Sequence, residues 1–176
     1  ANKALNFEEK GITYFYRAYA KDDLEDYKGA IEDYTKAIEI DPNYADAYTN
    51  RGYTKYDLED YKGSIEDYTK AIEINPKDKL SYNNRGIAKD SLEDYKGAIE
   101  DYTKAIEIDP GYVLPHYNRG IAKDSLEDYE GAIEDYTKAI EIDPNYADAY
   151  TNRGFTKDSL EDYEGAIEDY TKAIEI

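Results

Sequence analysis

The chain has 176 residues, with no cysteine, methionine or tryptophan, 5 prolines, 22 tyrosines, and 41 acidic against 22 basic residues for a net charge of −19. Without cysteine, disulfide staples, thiolate metal sites and sulfur redox chemistry are excluded, and so strong a negative charge repels phosphate backbones and anionic bilayers, which argues against nucleic acid and membrane surfaces as partners. No apolar run approaches the ~20 residues of a membrane helix, and Ala1 to Leu5 carry no signal-peptide stretch, so a soluble chain of open compartment is expected.

Residues 1–10 are expected to extend a first helix. From residue 11 a 34-residue period organises the sequence. Gly29, Gly63, Gly97, Gly131 and Gly165 are spaced by it, each inside a copy of Leu-Glu-Asp-Tyr-(Lys/Glu)-Gly-(Ala/Ser)-Ile-Glu-Asp-Tyr-Thr-Lys-Ala-Ile-Glu-Ile. Five repeats in one domain follow, at 11–44, 45–78, 79–112, 113–146 and 147–176, the last truncated. Asp41-Pro42, Asn75-Pro76, Asp109-Pro110 and Asp143-Pro144 separate them, because proline disfavours helix in the residue before it.

Each repeat reads as two helices. In the first, Tyr44, Ala47, Tyr48, Arg51, Gly52 and Lys55 form one stripe, with Asn43 as its expected cap and Asp46 three residues on. Gly52, Gly86, Gly120 and Gly154 lie in that stripe. A helical glycine costs about 1 kcal/mol against alanine, so its return points to a close helix crossing. In the second, Ala30, Ile31, Tyr34, Ala37 and Ile38 form an amphipathic stripe after a cap at Asp26, and Tyr27 is counted with its core. Glu32/Lys36, Glu66/Lys70 and Glu100/Lys104 are expected as surface pairs one turn apart.

An arginine on a packing stripe must find an acid, since an unpaired buried charge costs several kcal/mol. Arg17, Arg51, Arg85, Arg119 and Arg153 are therefore expected to pair, within their own repeats, with Asp33, Asp67, Asp101, Asp135 and Asp169. Catalysis has little to stand on. The one histidine, His116, holds the aromatic position of Tyr14, Tyr48, Tyr82 and Tyr150, which predicts a packed ring rather than a general base. No nucleophile and base form a set, and the acid pairs return with every repeat where a catalytic site would be singular. The acidic turns Asp22-Asp23-Leu24-Glu25-Asp26 and Asp90-Ser91-Leu92-Glu93-Asp94 contain no calcium loop. No metal, no cofactor and no enzyme activity are expected.

With Tyr48, Gly52, Ser64, Tyr68, Ala71 and Pro76 at the positions of a large aromatic, glycine, small residue, aromatic, alanine and proline, residues 11–176 resemble the tetratricopeptide repeat (TPR) family. The resemblance implies an all-α fold, an α-solenoid of antiparallel helix pairs in a right-handed superhelix, with its concave wall lined by first helices and peptide or protein binding as the usual activity. Two departures stand out. The five arginines replace a common leucine before the glycine, and Lys21, Lys55, Lys89, Lys123 and Lys157 replace an aromatic one turn later; in repeat 1, Ala18 also replaces the glycine.

On that wall the expected ligand-binding residues are those off the packing stripe. They include the aromatics Tyr16, Tyr19, Tyr53, Tyr56, Tyr117 and Phe155, and the asparagines Asn50, Asn84, Asn118 and Asn152, which can hydrogen-bond an extended peptide. The acids Asp90, Asp124 and Asp158, with Asp22, join them, as do Ile87, Ile121 and the variable Thr49 and Asn83. Such a wall suits a basic or neutral peptide. One TPR subgroup holds acidic chaperone tails through lysines, arginine and asparagines, where this chain has Phe15, Tyr19, Asn50, Leu80 and Asn84; only Asn50 fits.

The rival expectation is a structural or designed repeat protein without an evolved ligand, since the copies agree even at solvent positions such as Glu32, Thr35, Lys36 and Glu39. Ala166, Tyr170, Ala173 and Ile174 repeat residues that elsewhere pack on a following helix. Weak head-to-tail association with the helix around Ile12, Tyr14 and Phe15 is expected from them.

Overall fold

Within each helix pair the turn ends on an aspartate that starts the second helix. In the computed structural model, which describes the backbone of residues 2–176 and the side chains of residues 9–176, Asp26 accepts the Gly29 N–H at 3.1 Å. Asp60, Asp94, Asp128 and Asp162 cap Gly63, Gly97, Gly131 and Gly165 in the same way. A Cβ on Gly29 would fall 2.2 Å from the Asp26 carboxylate, so the cap itself demands glycine three residues on. The residue before each cap, Glu25, Glu59, Glu93, Glu127 or Glu161, has φ near +60°. Left-handed backbone is unfavourable for a glutamate by about 1 kcal/mol, and no sequence signal announced it.

The described residues form ten α-helices and no strand: α1 (Asn2–Asp22), α2 (Tyr27–Ile40), α3 (Ala45–Asp57), α4 (Tyr61–Ile74), α5 (Lys79–Asp90), α6 (Tyr95–Ile108), α7 (Val113–Asp124), α8 (Tyr129–Ile142), α9 (Ala147–Ser159) and α10 (Tyr163–Glu175). The fold is all-α, an α-solenoid of helix pairs. Two compact units divide it, residues 1–88 and 89–176. In the first, α1 packs on α2, α2 on α3 and α3 on α4; in the second, α6 packs on α7, α7 on α8, α8 on α9 and α9 on α10. Among the described residues no helix is long and apolar enough to cross a membrane.

Within the first unit, Ala30 and Tyr34 close on Ala18, while Ala37 and Ile38 close on Ala47 under Tyr14, Phe15, Tyr44 and Tyr48. The second unit repeats the scheme with Ala139, Ile140 and Ala149 under Val113, Tyr117, Tyr146 and Tyr150. Alanines let the helix axes approach, and the tyrosines fill the remaining space. The stripe glycines sit at the tightest crossings. A Cβ on Gly52 would stand 3.0 Å from the Tyr68 ring, on Gly120 2.6 Å from Tyr136, and on Gly154 2.8 Å from Tyr170.

Three local expectations are corrected. The cap of α3 is Tyr44, without a side-chain bond, and Asn43 stands one residue earlier in the turn after α2, where its N–H donates to Asp41 Oδ1 at 2.9 Å. The surface lysines choose other acids: Lys70, Lys104 and Lys138 reach forward to Glu73, Glu107 and Glu141 at 2.6, 2.7 and 2.6 Å, while Lys36 reaches back to within 3.7 Å of Asp33. Tyr27 is only half-buried, whereas Tyr34 is fully enclosed, since the first turn of α2 lies at the rim of the stripe.

Candidate functional site

In each unit the second helices carry buried aspartates, and these decide what the cations do. Asp67 receives Arg51 Nε on Oδ2 at 2.9 Å and Nη2 on Oδ1 at 2.6 Å, and Lys55 Nζ on Oδ2 at 2.8 Å. Asp33, Asp135 and Asp169 hold Arg17, Arg119 and Arg153, with Lys21, Lys123 and Lys157, in the same three-point arrangement. Bidentate, charge-assisted bonds of this kind fix side chains and leave little for a ligand. Hydrogen bonds from Arg17 hold the Asp33 carboxyl well below the usual carboxylate range against its burial. At Asp169, burial pushes upward and the bonds from Arg153 and Lys157 outweigh it. Arg17, Arg51, Arg119 and Arg153 pair within their own repeats, as their matching acids implied. The lysine as a second partner, and the bridge from Arg51 Nη1 to Thr35 Oγ1 at 2.9 Å, were not foreseen.

In the first unit the wall is aromatic and acidic. Tyr16, Tyr19 and Tyr53 are half or more exposed. Tyr53, Tyr56, Asn84 and Ile87 converge over Tyr68 around a cavity of about 60 Å³, and the Tyr56 ring lies 5.2 Å from Tyr61. Asn50 donates its amide to Asp46 O at 2.8 Å, along its own helix. Asp22 accepts the Thr54 hydroxyl at 2.7 Å. Beside it stands Asp57, which the sequence reading omitted; burial and the Asp22 charge push its carboxyl upward. Asp57, then burial and Asp22, push the Tyr53 phenol up as well. The Tyr53 shift, with the Asp57 charge as its first cause, reports a negative potential at that ring.

Thr49 and Asn83 leave the wall. Thr49 Oγ1 lies 2.8 Å from Ser81 Oγ, and Asn83 is 1% exposed and donates to Asn84 Oδ1 at 3.2 Å. Their position in the repeat points at the neighbouring first helix instead of at solvent.

Tyr117 shares that position in the second unit. Its ring packs 4.8 Å from Tyr146 and 6.0 Å from Tyr136, as Phe15 packs 4.9 Å from Tyr44 and 5.7 Å from Tyr34. Its hydroxyl accepts from Asn152 Nδ2 at 3.0 Å. Asn118 and Ile121 are half-buried, and Phe155 and Asp158 are exposed. Asp124 accepts the Thr156 hydroxyl at 2.9 Å. Asp90 is half-buried with Oδ1 enclosed and unbonded, and burial pushes its carboxyl up.

His116 lies away from these residues, 6% exposed, with Nε2 3.3 Å from Pro110 O and Nδ1 4.0 Å from Asp135 Oδ1. It borders a cavity of about 520 Å³ with Arg119, Lys123, Ile133, Asp135 and Lys138. Burial holds its pKa down. Thr137 also lines that cavity, and its hydroxyl accepts from Arg153 Nη1 at 2.9 Å.

A family model described as tetratricopeptide repeat matches residues 45–78, 80–112 and 147–176, and one described as TPR repeat matches residues 20–58 and 125–157. No curated protein matches the sequence. Among solved structures, a crystal structure of MamA is 27% identical over 90% of this chain and 92% of its own, with a TM-score of 0.86. YrrB, described as a TPR protein with an unusual peptide-binding site, is 26% identical over 99% of this chain and 90% of its own, at 0.80. MamA from Desulfovibrio magneticus RS-1, 21% identical over 94% of each chain at 0.88, shares the fold.

Proposed function

The chain belongs to the tetratricopeptide repeat family, and on that premise we propose that it is a non-catalytic scaffold holding an extended basic or neutral peptide against its first helices. Protein–protein interaction is the function that the fold and neighbours such as MamA and YrrB support. The observation that carries the charge preference is Tyr53, whose exposed ring stands in the field of Asp57 and Asp22. A lysine or arginine of a peptide laid on that ring gains a cation–π contact and two carboxylates. Arginines that would attract an acidic peptide are taken up by the buried aspartates. The residues assigned to the wall are Tyr16, Tyr19, Asn50, Tyr53, Tyr56, Asn84 and Ile87 in the first unit. In the second they are Asp90, Asn118, Ile121, Asp124, Asn152, Phe155 and Asp158, with the Tyr117 hydroxyl. A net charge of −19 supports leaving nucleic acid out of the partner list.

A peptide array read at low and high salt tests this. Basic peptides are expected to outbind acidic ones, with the margin shrinking as salt rises. Asp57→Asn and Tyr53→Ala each are expected to weaken binding, by about 2- to 5-fold for an exposed pair. Tighter binding of acidic tails overturns the charge preference. An array without binders favours the second reading, a structural or designed repeat protein, which the agreement of the copies at exposed Glu32, Lys36 and Glu39 supports.

A further inference from the structure

Where α3 faces α5 the second repeat departs from the others. Tyr56 stands at a position that the other repeats fill with Asp22, Asp90, Asp124 and Asp158. Its ring lies 5.2 Å from that of Tyr61 and forms one wall of the cavity of about 60 Å³. Tyr53, Asn84 and Ile87 are the other walls, and Tyr68, 1% exposed, is the floor. Nearly all of the lining is apolar, so the cavity offers water few partners and its walls gain contacts when carbon fills it. A sphere of water's radius takes roughly 10–15 Å³, so the space admits about four non-hydrogen atoms. The branched end of a leucine, isoleucine or valine fits that space, and a phenyl ring does not.

Asn84 gives the cavity a polar edge. Its Oδ1 accepts from Nδ2 of Asn83, which is 1% exposed, so a buried neighbour fixes the amide with Nδ2 on the other side. Among the described residues Asn84 Nδ2 makes no hydrogen bond, which leaves it to donate to a main-chain carbonyl of an extended segment. Tyr53 belongs both to the cavity and to the field of Asp57 and Asp22, and among the described residues neither carboxylate forms an ion pair. In an extended chain, side chains two residues apart share a face at a separation of roughly 6.6 Å. That spacing sets one side chain in the cavity and the other on the exposed face of the same ring.

We propose that this cavity is a specificity pocket for a branched aliphatic side chain standing two residues from the lysine or arginine that lies on Tyr53, with Asn84 Nδ2 holding a carbonyl between them. The ligand class is an extended segment in which a basic and an aliphatic residue flank one residue of any kind. The inference rests on the peptide-binding reading and sharpens it, because charge alone accepts any basic segment, whereas the cavity selects among them by shape. Tyr56 creates the selection, since an aspartate in its place removes one wall.

Fluorescence anisotropy of labelled, capped peptides titrated with the full chain at low salt tests it. The probe is the tighter-binding of two glycine- and serine-flanked peptides, one with Lys-Ser-Leu and one with Leu-Ser-Lys at its centre. Its leucine is then replaced by alanine and by phenylalanine. Leucine is expected to bind about tenfold tighter than alanine, since each carbon removed from water contributes roughly fourfold and part of the side chain stays at the mouth. Phenylalanine is expected to bind more weakly than leucine. Moving the leucine next to the lysine turns it to the opposite face and is expected to lose the advantage. Tyr56→Asp installs the residue of the other repeats, so the helical signal is expected to hold while the leucine advantage is erased. Asp57→Asn is expected to weaken the leucine and alanine peptides alike and to keep their ratio. Equal binding of leucine and alanine peptides, phenylalanine matching leucine, an advantage indifferent to spacing, or one that survives Tyr56→Asp overturns the pocket and leaves the preference for basic over acidic peptides standing. Failure of every lysine peptide to bind overturns the pocket and the peptide-binding reading together.

Discussion

Thr156 Oγ1 donates to Asp124 Oδ1 at 2.9 Å, and the position that would make the same bond to Asp90 is occupied by Ala122. Thr54 makes it to Asp22 at 2.7 Å, so a hydroxyl 32 residues on is what this aspartate is built to receive. Asp90 Oδ1 is enclosed without it, and its carboxyl is pushed up by burial. Thr54 and Thr156 are themselves fully buried, which shows that the slot has room for threonine. Ala122→Thr is expected to stabilise the chain by about 1 kcal/mol and to bring the Asp90 carboxyl down. Urea unfolding and carboxyl-carbon NMR titration read the two effects. A variant with an unmoved Asp90 titration means that the new hydroxyl points elsewhere.

Asp67 is the hub of its repeat, with Arg51 and Lys55 converging on a side chain 4% exposed. Asp67→Ala strands two cations and is expected to destabilise by about 3 kcal/mol, since removing one partner of a buried pair leaves the other charge uncompensated. Glu66→Ala changes a surface residue and is expected to cost less than about 0.5 kcal/mol. In a double-mutant cycle, Arg51→Met and Asp67→Ala are expected to couple strongly. Zero coupling means that Lys55 alone neutralises the acid.

These cases mark what the sequence made legible. The Arg51–Asp67 pair followed from counting acids against arginines on packing stripes, and the crossing at Gly52 from a glycine where helix propensity forbids one. Both are demands that a residue type makes within its own repeat. Thr35 as the acceptor of Arg51, Ser81 as the partner of Thr49 and the burial of Asn83 depend on the register between consecutive first helices, and single-helix periodicity does not encode it. Phe15 and Tyr117 were separable in principle: they stand where other repeats carry Thr49 or Asn83, a position too variable in polarity to be a purely solvent face. The left-handed Glu25 and its counterparts carried no signal, because glutamate is not a residue that such backbone selects.

His116 replaces the tyrosine that elsewhere lies under an arginine, as Tyr48 does 5.6 Å from Arg51 and Tyr150 does 5.6 Å from Arg153. Its folded pKa is depressed, first by burial. For a base shifted down, the unfolded chain binds the proton first, so stability is full above about pH 6.5 and falls as pH drops through that value toward the folded pKa. His116→Tyr is expected to remove this fall and to add about 0.5–1 kcal/mol at neutral pH from the restored cation–π contact. Thermal unfolding of both chains across that range is the check, and parallel curves mean that His116 takes up its proton equally in the folded and unfolded states.

The buried tyrosines set the alkaline limit. Tyr34, Tyr68 and Tyr136 are 1–2% exposed, and burial, ahead of the Asp22 charge at Tyr34 and the Asp124 charge at Tyr136, pushes their phenols well above the ordinary value. Tyr146 is pushed up to about 12 by burial, then by Tyr117 and Asp148. Below about pH 10 both folded and unfolded states keep these protons, and the full stability is present. Above it the unfolded chain releases protons that the folded chain retains, so stability falls as pH rises. The slope approaches roughly 1.4 kcal/mol per pH unit for each such ring. Several rings titrating together exceed what a marginally stable domain holds in reserve. The helices are therefore expected to collapse cooperatively between about pH 10 and 12, with the buried phenols ionising in the same step. Tyrosinate absorbance and far-ultraviolet circular dichroism followed together decide it. If the whole absorbance change is complete while the helical signal is intact, the rings ionise inside the fold and the desolvation argument fails.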